Sequence, residues 1–297
     1  MNSSKWIWRT TAAISIAATI TLLIGFIYAY QDINQPTADS FEPVTSEREK
    51  AEEASESSAS ETEEFPVGEK DGEKTSVLPP LPERVKVTAL GDSLAKGTGD
   101  NSGEGYVRRS ITRLNEIGVQ SELLNNLAIN GLTTEGLLSN LKDSGMQYAL
   151  EKSDLILLSI GGNDLFQNSG LTDNAQAQSG EAALDPEQLV QEIPAATERL
   201  KQIIQSIREI NPTARILYLG LYHPFGDIEE LLLPGNMAVS SWNYAAQQVI
   251  NEDANAMLIP TFDLFQGKLE QYLSGDHFHP NGEGYQQIAD RIAQGLQ

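Results

Sequence analysis

The sequence predicts an α/β fold in which a parallel sheet of five strands lies between helices. Short apolar runs of strand length alternate along residues 85–297 with longer segments whose apolar residues recur at helical spacing. The third run, "DLILLSIGG" at 154–162, is nearly continuous in Leu and Ile, as expected of a strand that is covered on both faces. Strand and helix in alternation favour parallel pairing, because each helix returns the chain to the same end of the sheet.

The strands are predicted from apolar runs that end at turn residues, beginning with "VKVTAL", which stops at a Gly-Asp pair. Their predicted ranges are 85–90, 120–129, 154–162, 215–222 and 256–261. The helices are predicted between and after them, where a capping residue such as Thr133 precedes a periodic segment or an Asn-Pro pair follows it. Their predicted ranges are 106–118, 133–145, 185–211, 240–255 and 281–296.

The first thirty residues predict a membrane anchor. Residues 11–30, "TAAISIAATITLLIGFIYAY", carry no charge and have about the length that a helix needs to cross a bilayer. Interfacial aromatic residues stand at both ends and basic residues precede the segment: Trp6, Trp8, Tyr28, Tyr30, Lys5 and Arg9. We expect a single-pass protein of the cell membrane, with residues 1–10 in the cytoplasm and the residues after the anchor outside it. No small-x-small site follows in "FIYAYQD", so an uncleaved anchor is favoured over a cleaved signal peptide, which would give a secreted protein.

Residues 31–84 predict a disordered acidic linker between the anchor and a single domain at 85–297. This stretch is rich in Glu and Ser and holds fifteen acidic and five basic residues. It offers too few apolar side chains to offset the entropy of ordering it. The whole chain has a formal net charge of −22 and no cysteine. The charge disfavours nucleic acid as a partner, and the absence of cysteine excludes disulfides and thiolate catalysis.

The residues "GDSL" at 91–94 place Ser93 where the first strand ends, which is the sheet edge where ligands bind in open α/β folds. A serine that caps a helix explains the same tetrapeptide. A nucleophilic serine needs a base with an orienting partner, and "SGDHFHPNGEGY" at 274–285 offers Asp276 three residues before His279. A solvated loop or a pair of metal ligands are the other interpretations of His-x-His. We interpret the remaining histidine, His223, as a loop residue.

An acyl-transfer site also needs hydrogen-bond donors for the developing oxyanion. Asn163 follows the third strand in "SIGGNDLF", at the sheet edge that carries Ser93, and its amide donates without charge. Gly131 follows the second strand in "NLAINGLTT", where its backbone N–H is a second candidate donor. The Gly-Gly-Asn-Asp sequence around Asn163 is also typical of an ordinary turn.

These four segments together resemble the conserved blocks of the GDSL or SGNH hydrolase family, over essentially all of 85–297. The resemblance implies a flavodoxin-like three-layer α/β/α sandwich and no cofactor. We also expect no metal, because the sequence offers no further cluster of histidines. The resemblance makes Ser93 the nucleophile, His279 the base and Asp276 its orienter, with the N–H of Ser93, that of Gly131 and the side chain of Asn163 as the oxyanion hole. Family members cleave carboxylic esters and thioesters, including lysophospholipids and acetylated sugars.

We therefore expect a serine esterase that forms an acyl-enzyme on Ser93, with a lysophospholipid or other lipid ester favoured over an O-acetylated wall glycan. Two other classes of protein are alternatives: a metal-dependent phosphoesterase, whose metal-binding segments faintly resemble "GDS", "GGND" and "HFH", and a catalytically inactive binding module of the cell envelope. The loops at 166–185 and 222–236 are expected to select the substrate. In the second, the apolar side chains of Phe225, Ile228 and 231–233 either line an acyl groove or pack in the core.

Overall fold

The protein is described here from a computed structural model, which places residues 80–166 and 186–297. The predicted cytoplasmic terminus, the predicted membrane helix and the linker up to residue 79 lie outside the described residues, as does the segment 167–185 of the first predicted loop. None of the helices within 80–166 and 186–297 has both the length and the apolar composition needed to span a bilayer.

Five parallel strands form one sheet, which confirms the predicted sheet. The strands are β1 Val85–Gly91, β2 Ser121–Asn126, β3 Leu155–Ser159, β4 Arg215–Leu219 and β5 Ala256–Ile259. Their order across the sheet is β2-β1-β3-β4-β5, and all four pairings are parallel. This is a doubly wound order: the chain adds β2 on one side of β1 and then β3, β4 and β5 on the other side. In such sheets a crevice opens at the carboxyl ends of the two strands where the order reverses, here β1 and β3.

The helices connect these strands and cover both faces of the sheet. In chain order they are α1 Ser93–Lys96, α2 Gly105–Glu116, α3 Thr134–Asn140, α4 Ser144–Glu151, α5 Gly162–Phe166, α6 Pro186–Gln191, α7 Ile193–Ile210, α8 Glu229–Asn251, α9 Phe262–Phe265, α10 Leu269–Tyr272 and α11 Gly282–Gln294.

Two apolar cores separate the three layers, and β3 contributes to both. Leu155 and Leu157 belong to the core that the sheet shares with α2 and α11. Ile156 and Leu158 belong to the core that it shares with α3, α4, α7 and α8. Successive strand residues point to opposite faces, so a strand with helices on both sides is apolar at every position. This accounts for the continuous Leu and Ile pattern that predicted the fold.

Two predicted helices are each divided in the structure. The helix predicted at 133–145 starts with Thr133 as its cap, as predicted, but it ends at Asn140, and a new helix starts at Ser144. Asp143 causes this second start, because its carboxylate accepts hydrogen bonds from the N–H groups of Gly145 and Met146. The helix predicted at 185–211 is likewise two helices, α6 and α7.

The helix predicted at 240–255 begins eleven residues earlier, so that the prediction of a loop over 222–236 was wrong for its second half. Helix α8 starts at Glu229 and contains Pro234 in its first turns. An interior proline costs about 3 kcal/mol of helix stability. The buried side chains of Leu231, Val239 and Trp242 lie along the same helix, and each contributes about 1.5–3 kcal/mol on burial. Packing therefore outweighs the proline.

Candidate active site

The site begins where β1 turns away from the sheet at Gly91. This glycine has a φ of +126°, and a Cβ there would lie 1.8 Å from the carbonyl oxygen of Ser159 on the neighbouring strand. Only glycine fits this close approach and this backbone angle. The next N–H, that of Asp92, donates to the same Ser159 oxygen at 3.0 Å. The chain then enters α1, whose first residue is Ser93.

Ser93, His279 and Asp276 form a continuous chain of hydrogen bonds. The Oγ of Ser93 lies 2.8 Å from Nε2 of His279, and Nδ1 of the same ring lies 2.7 Å from Oδ2 of Asp276. The serine is 7% exposed, and it comes from the end of β1, whereas the other two residues come from the loop before α11. The structure thus brings together all three predicted residues, although Ser93 and His279 are 186 positions apart in the sequence.

The loop that carries the pair is folded around the carboxylate of Asp276. Its Oδ1 accepts hydrogen bonds from the N–H groups of Phe278 and His279 and from the hydroxyl of Ser274. His277 has a φ of +54°, the left-handed conformation that reverses the chain within the loop. This local turn is what brings two side chains three residues apart into contact.

The carboxylate also determines which tautomer the neutral imidazole adopts. Burial on its own would raise the pKa of Asp276, but the hydrogen bonds from His279, Ser274 and the loop N–H groups outweigh it and lower that pKa. An ionised carboxylate only accepts hydrogen bonds, so Nδ1 of the neutral ring carries the proton. Nε2 is then the acceptor that faces the Ser93 hydroxyl.

Asn163 and Gly131 are brought to the same edge of the sheet as Ser93. Asn163, in the first turn of α5, lines one pocket together with Ser93, and its Nδ2 donates to the carbonyl of Leu132 at 2.9 Å. Gly131 lies in the adjacent turn with a φ of +74°. Among the described residues, none accepts a hydrogen bond from the Gly131 N–H. The turn is tied to β1 because the Ile129 N–H donates to the carbonyl of Gly91 at 2.9 Å.

Comparison with known proteins decides the family. A model of the GDSL-like Lipase/Acylhydrolase family matches residues 89–287, which is more than half of the chain. The chain belongs to this family. As a GDSL-like hydrolase it is an enzyme that cleaves esters, and the resemblance stated from the sequence is confirmed.

Relatives of this GDSL-like hydrolase include the uncharacterized protein YpmR of Bacillus subtilis, which is 32% identical over 72% of this chain and 82% of its own length. The spore germination lipase LipC of Bacillus licheniformis is 27% identical over 70% of this chain and 94% of its own. The crystal structure of the lipase Lip_vut3 from a goat rumen metagenome superposes with a TM-score of 0.60 and 25% identity, over 71% of this chain and 96% of that one.

The pocket beside the serine of this hydrolase is small and mostly apolar. Its volume is about 20 Å³. The apolar side chains that line it, together with Ser93 and Asn163, are Leu94, Phe166, Leu221, Tyr222, Pro224 and Phe278. Phe166, Tyr222 and Pro224 belong to the two segments that the sequence predicted to select the substrate, whereas the contributions of Leu94, Leu221 and Phe278 were not predicted. For Leu94 and Phe278, the only available signal was their position within the Ser93 and His279 motifs.

The apolar side chains predicted for the second loop do not line this pocket. Phe225 is buried behind it, with its ring 5.8 Å from that of Phe278 and 5.7 Å from that of Phe166. Leu231 is also buried in the core, whereas Leu232 and Leu233 are exposed on α8. Of the two alternatives left open by the sequence, the structure supports core packing for Phe225 and Leu231.

His223 lies in the loop after β4 but is buried rather than solvated. Its Nε2 lies 3.1 Å from the carbonyl oxygen of Leu231, and its ring fills the space that a Cβ at Gly235 would need. Burial lowers the pKa of His223, which keeps the ring neutral. The imidazole ring packs against the first turns of α8 at Leu231 and Gly235. It forms no hydrogen bond with Ser93 or Asp276 among the described residues.

One ionisable residue of the site was not predicted. Asp92 is 2% exposed, and its Oδ1 accepts hydrogen bonds from the Leu94 N–H at 3.1 Å and from the Ser159 hydroxyl at 2.8 Å. Burial raises the pKa of Asp92 to about 6, against the lowering effect of these two hydrogen bonds. The Asp92 side chain caps α1 and links the end of β1 to the end of β3. It therefore fixes the start of the helix that carries Ser93.

Proposed function

We propose that this protein is a serine esterase that hydrolyses carboxylic esters through an acyl-enzyme on Ser93, with lysophospholipids or other lipid esters as substrates. One observation carries the proposal: the hydrogen-bonded chain from Asp276 through His279 to the Ser93 hydroxyl, with distances of 2.7 and 2.8 Å. A protein that only binds a ligand has no need of a base and an orienting carboxylate behind a serine.

In the proposed first step, Ser93 Oγ attacks the ester carbonyl and its proton moves to Nε2 of His279. The Asp276 carboxylate stabilises the imidazolium that forms. The C–O bond to the alcohol then breaks, and the same Nε2 returns the proton to the leaving oxygen. Water repeats the sequence on the acyl-enzyme, which releases the carboxylic acid and restores the serine.

We assign three donors to the oxyanion of the tetrahedral intermediate: the N–H of Ser93, the N–H of Gly131 and the second amide hydrogen of Asn163. The first amide hydrogen of Asn163 is used by the Leu132 carbonyl, which fixes the plane of the amide. A Gly131 N–H without an acceptor among the described residues fits this role. Removal of one such donor typically costs about 10²–10³ in kcat.

The apolar lining of the pocket supports a lipid ester, and so does the similarity to LipC, which is named a lipase. A volume of about 20 Å³ supports the second candidate, an O-acetyl esterase that acts on glycans, since such a space holds about one methyl-sized group. Rates on p-nitrophenyl esters from acetate to dodecanoate, on lysophosphatidylcholine and on acetylated xylan separate the two. A maximum at acetate together with release of acetate from xylan would contradict the lipid assignment.

The experiment that tests the reaction class is hydrolysis of p-nitrophenyl butyrate by the purified protein, by Ser93→Ala and by protein treated with a chelator. We expect the wild-type rate to survive the chelator and to be lost in Ser93→Ala. Activity on bis-p-nitrophenyl phosphate that is lost with the chelator would support the metal-dependent phosphoesterase instead. A wild-type protein without activity on any ester of the series would support the inactive binding module.

We also propose that residues 11–30 anchor the enzyme in the cell membrane, with the acidic linker at 31–84 holding residues 85–297 outside the cytoplasm. The uncharged length of the segment and the basic residues before it support this. Membranes from expressing cells should retain the protein through an alkaline carbonate wash, and a variant that lacks residues 1–30 should not be retained. Release of the full-length chain by the wash would contradict the anchor, and a shortened chain in the medium would indicate cleavage.

A further inference from the structure

A ring of hydrogen bonds centred on a buried carboxylate adjoins two of the three predicted oxyanion donors, the Asn163 amide and the Gly131 N–H. Asp164 follows Asn163 in α5, and its side chain is 2% exposed. One carboxylate oxygen accepts from the N–H of Thr134 at 2.9 Å, and the other accepts from the hydroxyl of Thr134 at 2.5 Å and from Nη2 of Arg199 at 3.3 Å. The carboxylate is thus held by residues from α3 and α7.

The threonine hydroxyl closes the ring. Nε of Arg199 donates to Thr134 Oγ1 at 2.8 Å, so this oxygen accepts from the guanidinium and donates to the Asp164 carboxylate. Thr134 is fully buried. Charge-assisted bonds of this kind are shorter and about twice as strong as neutral ones, and a network whose members are all satisfied is rigid.

Two consecutive residues of α5 join the ring to the site. Asn163 bonds the carbonyl of Leu132, while Asp164, the next residue in α5, bonds Thr134. The turn that carries Gly131 is therefore attached to α5 at two points, within three residues of its N–H. The separation between that N–H and the Asn163 amide depends on both attachments.

We propose that Thr134, Asp164 and Arg199 form a clamp that positions the Gly131 N–H relative to the Asn163 amide, and so sets the geometry of the oxyanion hole. The clamp acts through donors that touch the substrate, so its members are positioning residues. Its effect on turnover rests on the proposed function, whereas its effect on the turn does not. A displacement of about 1 Å at a reacting centre lowers rates by as much as 10²-fold.

Thr134→Val is the most direct test, because it removes the hydroxyl at nearly constant volume and keeps the backbone N–H that bonds Asp164. We expect kcat on p-nitrophenyl butyrate to fall about tenfold or more at little change in KM. Thr134→Ser restores the hydroxyl and should stay within about twofold of the wild type. Arg199→Lys keeps the charge but removes the planar guanidinium that bonds Thr134 and Asp164 at once. It provides a second variant, with an expected several-fold loss of kcat, if Thr134→Val fails to fold.

The matched control is Thr88→Val, which removes another fully buried threonine hydroxyl, one that accepts from the Ser153 hydroxyl at 2.7 Å in the middle of β1. We expect it to lower the melting temperature and to leave kcat unchanged. If the two Val variants lose kcat equally, or if neither does, the clamp has only a structural role and the proposal is wrong.

Hydrogen exchange of the peptide that covers 127–134 gives a readout that needs no catalysis. We expect faster exchange there in Thr134→Val and not in Thr88→Val. If the wild type hydrolyses no ester, the proposed function fails and exchange alone decides whether the clamp holds the turn. Unchanged exchange in Thr134→Val would overturn the clamp whatever the activity.

Discussion

Asp276→Asn is the substitution whose effect the structure determines most completely. Asparagine has the shape of aspartate but offers one acceptor and one donor in place of two acceptors. The oxygen on the Oδ1 side receives three hydrogen bonds, from the Ser274 hydroxyl and from the N–H groups of Phe278 and His279. Those donors require an acceptor, so the amide oxygen takes that position. The amide nitrogen then replaces Oδ2 and faces Nδ1 of His279.

This exchange reverses the polarity of the histidine. An amide N–H at 2.7 Å from Nδ1 requires that nitrogen to accept, so the ring proton moves to Nε2. Nε2 then presents a hydrogen to Ser93 Oγ at 2.8 Å and has no lone pair with which to take its proton. A serine enzyme with its histidine in the wrong tautomer loses about 10⁴ in kcat, which corresponds to about 5 kcal/mol of transition-state stabilisation.

The assay is the measurement of kcat and KM on p-nitrophenyl butyrate for the wild type and for Asp276→Asn. We expect kcat to fall by a factor of 10³–10⁴ while KM changes little, because the substituted group does not touch the substrate. His277→Asn is the matched control, since it changes a neighbour in the same loop to a residue that tolerates its left-handed φ of +54°. A folded Asp276→Asn protein with kcat within tenfold of the wild type would refute the tautomer argument.

Three further outcomes are expected. His279→Ala should lose about a thousandfold or more in kcat/KM and His277→Ala much less, and the reverse order would show that the wrong histidine had been assigned as base. Phe278→Ala should open the pocket and move the preferred p-nitrophenyl ester to a longer acyl chain, and an unchanged chain-length profile would show that this ring does not limit the acyl group. The pKa of Asp92 is about 6 in the folded protein and about 3.9 in the unfolded chain, so the native state is favoured by protonation; this stability is full below about pH 4 and is lost as the pH rises through 6. The free energy of unfolding of Asp92→Asn, measured in urea, should therefore rise relative to that of the wild type by up to about 3 kcal/mol between pH 4 and pH 8. A difference between the two proteins that does not depend on pH would contradict the shifted pKa.

The sheet could be predicted from the sequence because its signal is local and repeated. The two central strands β3 and β4 are buried at every position, and β3 is therefore a continuous apolar run with no polar position before its last residue. The start of α8 could not be predicted from the sequence, because Pro234 and Gly235 are turn residues by local preference. Only the burial of Leu231 and Val239 against other elements makes this stretch helical, and a linear pattern does not contain those partners.

Part of the candidate site could likewise be predicted from the sequence, and part of it could not. Asp276 and His279 lie three residues apart, so a turn of the chain is enough to bring them together, and the sequence could place the pair. The bonds between Thr134, Asp164 and Arg199 join residues up to 65 positions apart, and the raised pKa of Asp92 comes from burial under the sheet edge. Such contacts depend on how α3, α5 and α7 pack, which single-sequence patterns do not specify.

The measurement that tests the central proposal most directly is mass spectrometric mapping of a fluorophosphonate adduct on the full-length protein. We expect one adduct, on the peptide that contains Ser93, with no labelling of Ser93→Ala and much slower labelling of His279→Ala, because the hydroxyl reacts only when its base accepts the proton. Undiminished labelling of folded Ser93→Ala, or a single adduct on another residue, would contradict the account of this site.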